Sequence, residues 1–413
     1  MFGSPTSSLL LSHNPSSARF GVHLPQAHSS SSNPRPYRPT LTPAPSPLRP
    51  HCLARDRIRL WCPANGRSTL DASGLALPIN DADLSCILAV VGARWELSTK
   101  ESYGAGLLVY HVWCNLRGVL EGQRCPMDRV LLVAFIAACA STYSGSALRN
   151  IVYGIRAWHI VHGQQWSVDN PEVEAVLEGA SRLAPANSCR MKRAPWTVTM
   201  IERVRGHLNL ALPLDAAVFA CLTSTFWSAS RLGEMTVSSL TAFNPSKHIK
   251  VSDVSPMADR HGANVTVFHL PRTKCSSTGE DVFWAVQTGP ADPSAAYQNH
   301  ILVNNPSDSE FLFSYLHKSG RRRPLTRTAF LARIGEAAAA AGLEIPAGHG
   351  LRIGAVLEYL LRGVPFDVVK SLGRWSSDAF VLYLRQHAVI IAPYIQDTPL
   401  QSEFVRYTMP PTR

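Results

Sequence analysis

The sequence predicts a mainly α protein with a small antiparallel β-sheet, an α+β class spread over two domains. Three observations predict it. Apolar residues recur at helical spacing from about residue 77 to residue 185. Three short β-prone segments, Ile249 to Val254, Asn264 to Leu270 and Asp281 to Ala285, interrupt the helices of the second half. Between the halves, residues 184–196 (APANSCRMKRAPW) hold Arg190, Lys192 and Arg193, no acidic residue and flanking prolines, which is a linker composition. The expected organisation is a disordered tail over 1–76, a helical domain over 77–185, a basic linker over 186–196, a mixed domain over 197–395 and a C-terminal tail over 396–413.

Composition supports this division and excludes several classes. A chain of 413 residues suits two domains plus a tail, and 46% hydrophobic content rules out disorder throughout. No stretch reaches the ~18 apolar residues of a membrane-spanning helix. Nine cysteines show no CxxC pair and no Cys/His cluster at zinc-ligand spacing, and an odd count in a chain this long points to reduced thiols inside a cell. The net charge of +11 makes a polyanion a fair partner, but residues 1–75 carry eight Arg against Asp56 and Asp71, leaving only +5 for the rest. The first 50 residues hold ten Pro and eleven Ser, too few apolar groups to offset the entropy of ordering. This acid-poor, Arg- and Ser-containing start also resembles an organelle transit peptide, although the dense prolines break any amphipathic helix.

The elements follow in order. Ser98 and Glu101 are spaced as a capping box ahead of Leu107, Leu108, Val112, Trp113 and Leu116. Pro126 is placed to start a second helix through Val130, Val133, Ala134, Ala137 and Ala140. Leu148, Ile151, Val152, Ile155, Trp158 and His159 give a third. Asn170 and Pro171 read as N-cap and N1 of a fourth. In the second half a long apolar helix, about Asp215 to Ser228, precedes Arg231. The stretch Ser276-Ser277-Thr278-Gly279 reads as the turn between the last two β segments. Helices return at 291–303, 326–341, 349–362, 366–372 and 377–387.

Four local patterns carry possible chemistry, each with an ordinary alternative. Arg231 and Glu234 in SRLGE set a guanidinium at the edge of an apolar helix, or form a surface i,i+3 pair. His349 and Arg352 in GHGLR share one face at a helix start, which suits a phosphate, or are a cap beside a solvated arginine. Trp375 precedes Tyr383 by eight residues at helical spacing, as core aromatics also do; Tyr359, Tyr394 and Tyr407 compete with Tyr383. Lys274 sits at the mouth of the expected hairpin, as a surface lysine or as an ammonium aimed into a nucleic-acid groove.

Taken in order, Arg231, Lys274, His349, Arg352, Trp375 and Tyr383 resemble the tyrosine recombinase (phage integrase) superfamily. The phrases SRLGE, GHGLRIGA and LGRWSSDAFVLYLR look nearest to recombinases of eukaryotic mobile elements of the DIRS-like and Crypton kind. The resemblance covers about residues 95–390, with its sharp motifs in the second half. The helical half matches the family's core-binding domain in pattern. The spacing of eight from Trp375 to Tyr383 departs from the nine of many members.

The resemblance implies a site-specific recombinase that breaks and rejoins DNA. Tyr383 would attack the scissile phosphate, giving a covalent 3′-phosphotyrosine and a free 5′-hydroxyl. Arg231 and Arg352 would clamp the non-bridging oxygens. His349 would donate to the phosphate or take the tyrosine proton, and Trp375 would offer its indole N–H. Lys274 would protonate the departing 5′ oxygen, with Glu234 orienting the cluster. No cofactor is implied: there is no evident carboxylate cage for a metal and no GxxxxGK[ST] motif for ATP. The implied partner is double-stranded DNA, held in a C-shaped clamp with Arg190, Lys192 and Arg193 crossing it, and the synaptic state is a homotetramer. Residues 388–413 would pack on a neighbouring protomer or fray, and the substrate places the protein in the nucleus. Three other readings fit less of the motif set: a decayed recombinase that only binds DNA, a type IB topoisomerase-like enzyme, and a helical protein-interaction module.

Overall fold

The computed structural model describes residues 33–188, 194–258, 260–274, 276–344, 348–375 and 390. The chain divides into two compact units between Arg190 and Met191, inside the expected linker. Among the described residues no helix is long and apolar enough to cross a membrane.

The first unit is helical: α1 (Ala54–Leu60), α2 (Asp81–Gly92), α3 (Leu97–Leu116), α4 (Arg129–Cys139), α5 (Gly145–Val161) and α6 (Pro171–Arg182). Its core joins Ile58, Trp61, Leu107, Tyr110, Phe135, Ile136, Ile155 and Trp158. Helices α3 and α5 approach closely because Gly106 and Gly154 carry no side chain; a Cβ at these positions would lie 2.8 Å from Ile151 Cα and 2.7 Å from the Tyr103 carbonyl oxygen. Fully burying side chains such as Leu107 and Ile155 stabilises the unit by about 1.5–3 kcal/mol each.

Three sequence expectations are corrected in this unit. The described part of the expected tail, residues 33–76, is folded: α1 is a helix within it and Trp61 is wholly buried. The Ser/Pro average hid a local apolar segment around Ile58 and Trp61, and the charges near it find partners. Arg57 donates to the Gly104 carbonyl, and Arg49 forms a bidentate pair with Glu121. Helix α3 starts at Leu97 with Glu96 as N-cap and no side-chain cap, so Ser98 lies inside the helix and makes no capping box. Helix α4 starts after Asp128, not at Pro126, because the Asp128 carboxylate accepts from the N–H groups of Val130 and Leu131. The Asn170 cap and Pro171 N1 of α6 stand as expected.

The second unit packs α7 (Val198–Arg205), α9 (Pro293–Asn304), α10 (Arg327–Ala340) and α11 (Gly350–Leu361) on α8 (Pro213–Trp227), and α12 (Phe366–Leu372) packs on α11. Every residue of α8 from Asp215 to Trp227 is buried, which explains its apolar composition on all sides. Strands β1 (Val254–Ala258), β2 (Asn264–Leu270) and β3 (Glu280–Ala285) form one antiparallel sheet in sequential order. Strands β4 (Ser314–Leu316) and β5 (Arg322–Pro324) form a separate hairpin not foreseen from the sequence.

The β2–β3 hairpin agrees with expectation, with Leu270 opposite Glu280 at its turn. The first β segment does not. Lys250 donates from its N–H and its Nζ to the Asp253 carboxylate at 2.8 and 2.6 Å, winding 251–253 into a 3₁₀ turn and moving the strand to 254–258. Pro256 is tolerated there because β1 is an edge strand.

Candidate active site

The site begins where α8 ends. The chain reverses through Ala229 at φ 48°, a left-handed conformation usually left to glycine. The buried hydroxyls of Ser228 and Ser230 bond each other at 2.7 Å across this reversal. Arg231 follows directly. Its backbone N–H and Nη1 both donate to the Glu234 carboxylate, at 2.9 and 2.8 Å. The Arg231 side chain keeps 29% exposure and Glu234 only 9%.

The GHGLR segment lies against this bend. A Cβ on Gly348 would fall 2.5 Å from Leu232 Cδ2, so a glycine lets the two segments meet. His349 occupies the N-cap position of α11 and is half-buried; its ring does not cap the helix. One turn on, Arg352 is 1% exposed. Helix α11 is anchored from the other side, where the Trp196 N–H donates to the Gly350 carbonyl at 3.1 Å.

The third segment is Gly373-Arg374-Trp375, just past α12. The Arg352 guanidinium donates to the Gly373 carbonyl and sits 4.1 Å from the centre of a Trp375 ring. Arg374 takes φ 57°. Holding a non-glycine residue in such a region costs on the order of 1–3 kcal/mol, so its side chain has to compensate. Arg374 Nη2 donates to Glu234 at 2.6 Å, and Nη1 donates to Glu280 at 2.9 Å.

Glu280 continues the chain of contacts into the β2–β3 turn. It accepts from Thr273 Oγ1 at 2.6 Å. Thr273 closes the turn by donating its N–H to the Ser276 carbonyl at 2.9 Å and accepting the Ser276 N–H at 3.1 Å. Lys274, the next residue, is exposed. Arg231, Glu234, Arg374, Glu280 and Thr273 therefore form one continuous ladder ending beside Lys274.

Burial pushes the Glu234 carboxyl up. The Arg374 charge and the hydrogen bonds from Arg231 outweigh it, and the net pKa lies below the ordinary value. Glu234 thus stays ionised and holds two guanidinium groups in a fixed order.

The structure brings together Arg231, Glu234, His349, Arg352 and Trp375, and ties the Lys274 turn to them. Arg190, Lys192, Arg193, Tyr383, Tyr394 and Tyr407 lie outside the described residues, as do the expected helix over 377–387 and nearly all of 388–413. Among the competing tyrosines, Tyr359 is occupied: its hydroxyl donates to the Trp227 carbonyl at 2.7 Å, and burial pushes its phenol up to about 12. Of the basic run, Arg322 is held by Glu310 at 3.2 Å and by the Asn304 carbonyl at 2.7 Å, whereas Lys318 and Arg321 are exposed on the β4–β5 hairpin.

Sequence reasoning missed Arg374, Glu280 and Thr273. The available signal was an arginine directly before Trp375, together with a carboxylate directly after the Gly279 turn.

No protein-family model and no curated protein matches the chain. Among solved structures, the chain is similar to a lambda integrase(75-356) dimer bound to a COC′ core site. That match has 15% identity and a TM-score of 0.45, and covers 73% of this chain and 93% of that one. It is similar to the XerH site-specific recombinase bound to palindromic difH substrate in a post-cleavage complex, at 11% identity and a TM-score of 0.49, covering 83% and 93%. A third likeness is to a Flpe–Holliday junction complex, at 11% identity and a TM-score of 0.33, covering 78% and 84%.

Proposed function

We propose that this protein is a tyrosine recombinase, cutting and rejoining duplex DNA through Tyr383. The observation that carries the reading is the meeting of three separated segments. SRLGE, GHGLR and GRW converge, and the ladder through Glu280 adds the Lys274 turn. An ordinary ion pair at Arg231 would not call for this arrangement.

On this reading, Arg231 and Arg352 bind the non-bridging oxygens of the scissile phosphate and stabilise the charge of the phosphorane. Glu234 fixes Arg231 through two hydrogen bonds, and the Arg231 side chain keeps 29% exposure. A phosphate reaches Arg352 when Trp375 moves off its guanidinium, and the indole N–H then becomes a further donor. His349 stands at the start of the helix bearing Arg352, where an imidazole N–H and a positive helix end favour the same anion. Tyr383 Oη gives up its proton, to His349 or to water, and forms the bond to phosphorus; the phosphorus–O5′ bond breaks, and Lys274 supplies the proton to O5′. The phosphotyrosine keeps the bond energy, so rejoining by a second 5′-hydroxyl reverses the same steps. The partners on this reading are duplex DNA and further copies of the chain in a tetramer. The origin is a mobile element and the location is the nucleus.

The test is covalent trapping. The full chain is incubated in EDTA with a duplex library randomised over its centre, denatured, and the DNA that remains on protein is sequenced. The expected result is an adduct on a defined sequence that Tyr383→Phe loses. Salt-sensitive binding with no adduct would leave a DNA-binding relic in its place. An adduct that survives Tyr383→Phe would move the nucleophile to Tyr394.

A further inference from the structure

We propose that Arg374 and Glu280 are positioning residues that set Lys274 relative to the phosphate-binding arginines. This inference rests on the recombinase reading above. Four observations carry it. Arg374 is left-handed at the C-terminal end of α12, where glycine costs nothing, so the position is occupied for the sake of its side chain. That side chain reaches Glu234 at 2.6 Å and Glu280 at 2.9 Å. Glu280 is the first residue of β3 and accepts from Thr273, the residue before Lys274. Gly279, at φ 91°, admits no Cβ because the Leu270 carbonyl oxygen would lie 2.6 Å away, which fixes the opposite side of the turn.

An exposed hairpin turn is otherwise a poor support for a proton donor. Its backbone is closed locally, by the Thr273–Ser276 pair and by Ser276 Oγ donating to the Gly279 carbonyl at 2.9 Å. The Arg374–Glu280 pair replaces that freedom with a fixed offset from Glu234, and so from Arg231. Removing it from the Glu280 side leaves the Arg374–Glu234 contact and the phosphate clamp in place and misplaces the donor. A misplacement of the order of 1 Å costs roughly 100-fold in rate.

The consequence is chemically separable. With an ordinary substrate the departing O5′ needs a proton as the phosphorus–oxygen bond breaks. With a 5′-bridging sulfur the phosphorus–sulfur bond breaks instead and a thiolate leaves, a group whose pKa near 8.5 makes protonation unnecessary. The duplex recovered by wild-type trapping is prepared in both forms. Single-turnover cleavage is measured for wild type, Lys274→Ala, Glu280→Gln, Arg374→Gly and Arg352→Ala. Arg374→Gly relaxes the backbone while removing the guanidinium, and thermal unfolding of each variant is recorded alongside.

The expected result is that Glu280→Gln and Arg374→Gly lose about 10- to 100-fold on the oxygen substrate. Both recover to within about threefold of wild type on the sulfur substrate, as Lys274→Ala does, while Arg352→Ala recovers on neither. Equal loss on both substrates in folded Glu280→Gln and Arg374→Gly, beside a rescued Lys274→Ala, overturns the positioning role and leaves the recombinase reading standing. Wild type that cleaves neither substrate overturns the recombinase reading and this inference with it.

Discussion

The guanidinium carbon of Arg352 lies 4.1 Å from the centre of a Trp375 ring, and the residue below that indole is Gly373, where a Cβ would fall 1.5 Å from the ring. The stack covers an arginine that is 1% exposed. A cation–π pair desolvated in this way stabilises by about 2 kcal/mol. Trp375→Ala is expected to lose about that much in a denaturant titration, and Trp375→Phe less than half of it. A variant Trp375→Ala as stable as wild type would show that the stack contributes nothing.

Arg231 and Arg352 should separate binding from chemistry. Replacing either with Ala is expected to lower cleavage of the trapped duplex by roughly 100- to 1,000-fold. Equilibrium binding, carried by many phosphate contacts, should weaken less than about 10-fold. Filter binding and single-turnover cleavage on one duplex decide it; parallel losses in both would place these residues in binding alone.

Glu234 should matter for folding as well as for order in the site. It is 9% exposed and pairs with Arg231 and Arg374, so Glu234→Gln removes the shared charge from both pairs and is expected to cost about 3 kcal/mol. Its folded pKa is depressed. The contribution is therefore present above the unfolded value near 4.3 and is lost as pH falls below it. The stability gap between wild type and Glu234→Gln should narrow below pH ~4.3, and a gap constant from pH 3 to 7 would refute the assignment.

Acid should weaken the first unit earlier. Burial holds His159 and His162 neutral, with pKa values lowered to about 4. The unfolded chain takes up these protons near pH 6.5 and the folded chain only near 4, so stability is full above 6.5 and falls between 6.5 and 4. At pH 5 each histidine costs about 2 kcal/mol. Unfolding of the full chain followed by tryptophan fluorescence should show this slope, and His159→Gln with His162→Gln should reduce it, the buried His111 and His300 keeping the remainder.

Tyr359→Phe tests the choice of nucleophile from the negative side. Its hydroxyl is engaged by the Trp227 carbonyl at 2.7 Å. The variant is expected to lose about 1 kcal/mol of stability while retaining the covalent adduct; loss of the adduct in a folded variant would reopen the assignment.

Much of the second half was legible because its signals are local. The apolar run of α8, the Ser276–Gly279 turn and the periodicities of α10 and α11 each lie within one element. What escaped depends on partners distant in sequence. Arg374 is meaningful only beside Glu234 and Glu280, 140 and 94 residues away. The order of residues 33–76 was hidden by a Ser/Pro average that masks Ile58 and Trp61, and by arginines whose burial needs the Gly104 carbonyl and Glu121. Strand β1 was misplaced by four or five residues because one Asp253 side chain outcompeted the β propensity of Val251.

The uninterrupted burial of α8 has a consequence for how the unit breathes. Amide hydrogens along Asp215–Trp227 have no solvent-facing side, so they exchange with water only when the unit opens as a whole. The turn around Lys274 has an exposed tip and opens locally. Arg231 thus follows a helix buried on every side and Lys274 sits in a turn with an exposed tip, so the ladder through Glu280 joins a segment expected to exchange slowly to one expected to exchange fast.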